Sequence, residues 1–251
     1  LSPPRGPGKM GLRAAIRRAL PYGLRASVAG ARRQLRDLRA RPRFARGRGA
    51  DFPHPVVSIV QEIKPSPFLA GKLANLTLGA SRLDGVVVAP GETLSFWRLV
   101  GKPSARAGFA LGRSIRGGVA GGDIGGGLCQ LSGIVYEAGI RAGLNPVERH
   151  PHSKDLYAEQ ERFTPLGLDA TVVWPWKDLR LANPLDVPVR LRVAVRDLTL
   201  HAEIHALGQR EAAEIDIQRS DGNDHRQVRV VRRGGGLAET LSEDRYAYSA
   251  E

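Results

Sequence analysis

Between Val187 and Arg196 the apolar residues Val187, Val189, Leu191, Val193 and Val195 alternate strictly with Pro188, Arg190, Arg192, Ala194 and Arg196. A period of two is that of a β-strand, whose successive side chains point to opposite faces. This segment therefore lays one face on a core and leaves arginines in water, and such a strand needs an apolar layer to cover it. The run after Ser66-Pro67 supplies one. Leu69, Leu73, Leu76, Ala80 and Leu83 recur at spacings of 4, 3, 4 and 3, which is the repeat of a helix face, with Ser66 as N-cap and Pro67 as first helical residue.

Further elements follow from the same reasoning. Asp84-Gly85 ends the helix, residues 86–89 read as a buried strand, and Pro90-Gly91 turns the chain before residues 92–97. Residues 101–127 read as loop, with seven glycines between Gly117 and Gly127. Leu128, Leu131, Val135 and Ala138 then restore helical spacing up to Gly143, a C-terminal stop. Short strands are expected at 145–149, 168–174, 198–206 and 227–231. The fold class is α+β: one domain over 51–210 with antiparallel strands and two core helices, preceded by a basic helical arm and linker over 1–50 and followed by a strand and polar tail over 211–251.

Charge divides the chain in the same way. Residues 1–50 hold 14 of the 38 Lys and Arg and one of the 25 acidic side chains, Asp37, so the other 201 residues carry 24 of each sign. The net charge of +13 belongs to the arm, and a neutral body argues against a nucleic-acid-binding fold. Leu12, Ile16, Ala19 and Leu20 form one helical stripe before Pro21; Leu24, Val28, Ala31, Leu35 and Leu38 form a second, with arginines on the other faces. A basic amphipathic helix over 11–40 can lie on an anionic membrane surface, or remain a solvated helix. Residues 41–55 read as a Pro/Gly/Arg linker. No stretch approaches the roughly 18 apolar residues of a membrane span, and no export leader is visible. The sequence thus reads as cytoplasmic or peripheral at the inner membrane face; the first residue is Leu1, and an upstream leader would instead place the domain outside the membrane.

Cys129 is the only cysteine, which rules out an internal disulfide and a Cys-x-x-Cys zinc site. Gly121, Gly122, Gly125, Gly126 and Gly127 deliver it to the start of the predicted helix, where unpaired N–H groups and the helix dipole favour an anion and lower a thiol pKa. Gln130 and Ser132 are candidate oxyanion donors, and the amides of Gly126 and Gly127 belong to the same loop. The glycine run lacks the Gly-Lys-Ser/Thr ending of a phosphate loop. His150 and His152 follow, with Glu148 and Arg149 before them and Asp155 and Asp169 after. A cysteine nucleophile needs a histidine base, and that base needs an orienting acceptor. Arg149 can hold a substrate carboxylate or pair with Glu148 or an aspartate. Plainer readings fit the same spacing: a buried apolar cysteine beside Leu128 and Leu131, and surface histidines around Pro151. A metal pair of histidines ranks below acid-base work, and no cofactor is implied.

Four segments in order, NLTLGASRLDGVVVAPGETLSFWRLVGKPSARAGF, GGGLCQLSGIVYEAGIRAGL, VERHPHSKDLY and GLDATVVWPWKDLRLANP, resemble the VanW family, first noted with glycopeptide-resistance clusters. The resemblance runs from about Asn75 to Pro184. It implies a bacterial cell-envelope role around peptidoglycan or its precursors, and larger members look like cysteine-dependent L,D-transpeptidases. Carried over by motif position, Cys129 is the acyl-accepting nucleophile, His152 of the Arg-x-x-His-Ser pattern its base, and Asp169 of Gly-x-Asp-Ala the orienter. The other implied role is that of a non-catalytic accessory binding an envelope precursor or an anionic membrane.

Overall fold

The computed structural model describes residues 20–49, 52–116, 119–155, 162–208, 210–234 and 236–248, without the side chains of 115, 116, 119 and 120. The chain divides into two units, residues 1–41 and 42–251. The first holds helix α1, Tyr22–Ala40, closed by Arg41 in the left-handed region with its N–H on the Asp37 carbonyl. The expected stripe lies on α1, where Leu24, Val28, Leu35 and Leu38 are all exposed. The helix expected over 12–20 lies, apart from Leu20, outside the described residues. Among the described residues no helix is long and apolar enough to cross a membrane.

The second unit is α+β. Its central sheet has the order β1 (His54–Glu62), β10 (Thr199–Ala206), β9 (Val189–Arg196), β2 (Val87–Val88), all antiparallel. The alternation at Val187–Arg196 becomes β9: Val189, Leu191 and Val193 are buried, while Arg190 and Arg192 turn outward. Two helices cover this sheet. Helix α2 (Leu69–Leu83) buries Leu76, Ala80 and Leu83, and α4 (Leu128–Arg141) is buried along nearly its whole length. They meet where Gly79 of α2 admits the Leu131 and Leu128 side chains. Helix α2 starts at Leu69, two residues later than the Ser-Pro pattern predicts, because Ser66 offers its carbonyl to the Leu69 N–H and does not cap with its side chain.

Smaller pieces complete the body. Strand β3 (Thr93–Ser95) leads into the short helix α3 (Phe96–Val100) and joins β8 (Arg180–Ala182) and β6 (Asn145–Glu148) in a three-stranded sheet. Residues 42–49 run along the body, with Ala45 N–H donating to the Thr93 carbonyl and Arg48 donating to the Arg82 carbonyl at 2.7 Å.

Three sequence expectations are corrected. Part of the supposed loop at 101–127 is a hairpin, β4 (Leu111–Arg116) with β5 (Val119–Ile124), whose glycines pair in register with Arg113 and Ser114. Residues 168–174 form no ladder strand; Val173 makes an isolated bridge with Lys177, and the rest is held by side chains and single backbone hydrogen bonds. The supposed polar tail carries a sheet of β11 (Glu214–Asp221), β12 (His225–Gly234) and β13 (Leu237–Tyr248), with β7 (Lys154–Asp155) parallel to β13. A bulge at Val230/Val231 interrupts the register of β12 with β13.

Candidate active site

The site begins with a backbone crossing. Gly112 on β4 and Gly126 in the loop after β5 pass so closely that a Cβ on Gly126 would stand 2.1 Å from the Gly112 carbonyl oxygen. Asn75 of α2 pins the crossing: its Nδ2 donates to the carbonyls of Gly126 (2.9 Å) and Ala110 (3.0 Å), and its Oδ1 accepts from the Ala110 N–H (2.8 Å). Gly127, at φ +103°, then turns the chain into α4. Cys129 is the second residue of that helix and is half-buried. N–H groups in a first helical turn have no intrahelical acceptor, so the thiol sits at the electropositive end of α4.

The opposing wall is the extended segment after Gly167. Ser132 Oγ donates to the Ala170 carbonyl at 2.5 Å, and the Thr171 N–H donates to the His150 carbonyl at 2.7 Å. These two bonds strap the segment between α4 and the stretch following β6. They bring Asp169 and Val172 to the cysteine, with Sγ 3.7 Å from the Val172 carbonyl oxygen.

His152 lies between thiol and carboxylate. Its ring is close enough to Cys129 to shift the thiol's pKa, and its Nδ1 and its backbone N–H both donate to Asp169 Oδ2, at 2.6 and 2.7 Å. Asp169 Oδ1 accepts from Arg149 Nη2 at 2.9 Å and from the Tyr246 hydroxyl at 2.6 Å. Tyr246 in turn accepts from the Gly167 N–H at 3.0 Å. Arg149 also donates to Asp244, to the Asp169 carbonyl (2.7 Å) and to the Gly167 carbonyl (3.0 Å), and its guanidinium stands 5.2 Å from the centre of the Tyr136 ring.

Electrostatics follow from this chain of contacts. Burial raises the Cys129 thiol pKa, but the hydrogen bond and charge of His152, with a backbone hydrogen bond at Val172, outweigh it and leave the pKa below its ordinary value. Burial works against a charged His152, yet its bonds to Asp169 and Cys129 lift it to about 10. Burial disfavours a charged Asp169, but His152 and Arg149 hold it well below the usual carboxylate range. These shifts all run in the direction of a thiolate beside an imidazolium, with a carboxylate behind it.

The structure gathers Cys129, His152 and Asp169 and separates other sequence candidates from them. Arg149 has 4% of its side chain exposed and is spent on Asp169, Asp244 and two carbonyls, so it holds the triad and is not presented to a substrate carboxylate. Gln130 is buried and donates to the Glu62 carbonyl at 2.9 Å, and Ser132 binds carbonyls alone; both act as struts, not oxyanion donors. His150 bonds Glu148 through Nε2 at 3.1 Å and does not converge with His152. Among the described residues, no three His, Cys, Asp or Glu side chains come together as a metal site.

Several participants were not singled out from the sequence. Asn75 was detectable as a polar residue on the buried face of α2. Tyr246 and Asp244 were not, because their strand lacks regular alternation. Val172 acts through its backbone, which no side-chain pattern reveals.

The α+β body thus sets a cysteine at a helix N-terminus against a histidine and a buried aspartate. This chain belongs to the VanW family: the model described as "VanW like protein" matches residues 71–205, more than half of its length. It is similar to the vancomycin B-type resistance protein VanW of Enterococcus faecalis, 29% identical over 174 residues, 69% of this chain and 61% of that protein. It is also similar to the uncharacterized protein YoaR of Bacillus subtilis, 36% identical over 118 residues, 47% of this chain and 37% of that protein. The matches therefore span less than two thirds of either relative's length. No solved structure matches.

Proposed function

We propose that the chain is a cysteine-dependent acyl transferase of the L,D-transpeptidase type acting on peptidoglycan or its precursors. The observation that carries this reading is His152, bonded to Asp169 at 2.6 Å and acting on the Cys129 thiol to lower its pKa. Family membership supports it, as does the name of the E. faecalis relative, which ties that protein to vancomycin resistance.

The reaction uses each group once in each direction. The Cys129 thiolate adds to a peptide carbonyl, and the oxyanion forms beside the N–H groups of Gly127 and Cys129. Collapse breaks the C–N bond, the leaving amine takes the proton from His152 Nε2, and a thioester remains. An acceptor amine then adds to the thioester, His152 recovers its proton, and the thiolate is expelled. Asp169 keeps Nδ1 protonated throughout, so Nε2 is the working nitrogen.

Comparing the muropeptides of cells that carry the wild type, a deletion and Cys129→Ala tests the reading. It expects one class of cross-link to disappear equally in the deletion and in the variant. A deletion profile identical to wild type removes the peptidoglycan assignment, and a normal profile with Cys129→Ala removes the nucleophile.

A further inference from the structure

Tyr136 of α4 is wholly buried, yet its hydroxyl finds no hydrogen-bond partner among the described residues. Ser242 of β13 is near enough to act on it, but the Ser242 hydroxyl gives its own proton to Asp244 Oδ2 at 3.0 Å. A hydroxyl held in this way has given up its hydration without replacement. Retaining it makes physical sense if a ligand supplies the missing bond.

There is room for one. Tyr136, Ser242 and Asp244 line a cavity of about 380 Å³, together with Glu148, Arg149 and His150. Cys129, His152 and Asp169 are not in its wall. Arg149 is the partition, since it lines the cavity and gives Nη2 to Asp169 at 2.9 Å.

The wall favours a cation. Glu148 and Asp244 together outweigh the charge of Arg149, and the Arg149 nitrogens already donate to Asp169, Asp244 and two backbone carbonyls. His150 is engaged with Glu148 through Nε2. Asp244 is bonded through Oδ2 alone, to Arg149 and Ser242, so its Oδ1, on a residue only 8% exposed, is an open acceptor. Carboxylate and hydroxyl oxygens are satisfied together by a charged group with several N–H donors. Val147 and Leu241 add an apolar flank against which a short alkyl chain can lie. We propose that the cavity behind Arg149 binds a primary ammonium on a short alkyl chain, with Asp244 Oδ1, Glu148 and the Tyr136 hydroxyl as its acceptors. The site stands independently of the acyl-transfer reading. Such an ammonium reaches it as a free amine or on the lysine side chain of a peptide.

Amide NMR spectra of the isotope-labelled full chain, titrated near neutral pH with n-butylamine, n-butanol and butyrate, test the site. n-Butylamine is expected to saturate, to move the amides of Val147, Leu241 and Ser242, and to bind at least about tenfold more tightly than n-butanol or butyrate. Equal affinities for n-butylamine and n-butanol, or saturable shifts on another surface alone, overturn the proposal. Tyr136→Phe removes an atom that has no partner within the protein, so thermal unfolding is expected to be unchanged or higher while n-butylamine affinity falls about threefold to tenfold. Glu148→Gln is expected to lower that affinity about tenfold. Affinity unchanged in both variants overturns the site. Nα-Acetyl-lysine methylamide identifies the source: tighter binding than that of n-butylamine assigns the cavity to a peptide side chain, and weaker binding assigns it to a free amine. Binding of neither overturns the proposal.

Discussion

Asp169 Oδ2 receives two hydrogen bonds from the same residue, the ring Nδ1 of His152 at 2.6 Å and its backbone N–H at 2.7 Å. One bond fixes the tautomer and the other fixes the backbone from which the ring hangs, so the imidazole has little freedom to turn away from Cys129. Asp169→Asn keeps the shape but offers an amide where an anion stood. His152 then loses its principal charged support, and thiol alkylation at pH 7 is expected to fall about 100-fold. The change also weakens a buried ion pair with Arg149, so a loss of about 3 kcal/mol in denaturant unfolding should accompany it. Unchanged alkylation in a folded Asp169→Asn protein would detach Asp169 from the thiol.

The pH dependence has a direction at each end. Because the thiol pKa is lowered, iodoacetamide labelling should reach its plateau at a lower pH than a free cysteine with pKa about 8.5. The His152 pKa is raised to about 10, so acyl transfer should fail as pH rises through that value while labelling does not. For stability, the raised His152 pKa contributes fully below about 6.5 and is lost as pH climbs toward 10. The depressed Asp169 pKa contributes above about 3.9 and is lost as pH falls through the folded value. Cys129→Ala removes two of the effects that lift His152, and an NMR titration of its ring should show the pKa falling.

Gly126→Ala probes the crossing beneath the site. The new methyl would meet the β4 backbone, 2.1 Å from the Gly112 oxygen and 2.7 Å from the Arg113 oxygen. Neither can move without breaking the pairing of β4 with β5. We expect at least about 3 kcal/mol of destabilisation and a labelling rate near that of a free thiol, measured by thermal unfolding and alkylation.

Much of this arrangement was legible in the sequence, and what escaped has physical causes. Helix α2, helix α4 and strand β9 follow from apolar periods, because each presents one face to the core. Cys129, His152 and Asp169 were singled out as candidates by motif position. The corrected roles all involve partners brought together by tertiary contact. Arg149 could be read as a substrate ligand until the fold wrapped β13 around it and supplied Asp244. The 168–174 segment has strand composition, yet it joins no sheet: Ala170 and Thr171 bond Ser132 and His150, far away in sequence, and Val173 pairs locally with Lys177.

The amphipathic arm carries a separate expectation. Leu38 of α1 is 72% exposed and Leu24 50%, on a helix with arginines around its other faces. Sedimentation with vesicles of anionic lipid should recover the chain, and about 0.5 M salt or neutral lipid should release it. Equal recovery with neutral vesicles would count against a surface-electrostatic role.

Tyr246 offers the sharpest separation of positioning from mere packing. It stands on β13, beyond the segment that matches the family model, yet its hydroxyl joins Asp169 to the Gly167 backbone. Burial and the Asp169 charge both push its pKa above the ordinary tyrosine range, so it remains a donor. Tyr246→Phe keeps the ring and removes the hydroxyl, leaving the Gly167 N–H and one Asp169 lone pair without that partner. The cost in stability should be about 1–2 kcal/mol. A packing role would stop there. A positioning role adds a second readout: with Asp169 less restrained, the alkaline limb of acyl transfer should move below pH 10, and thiol labelling at pH 7 should slow by about threefold to tenfold. A variant that loses stability but keeps both the limb and the labelling rate would assign Tyr246 to the core alone.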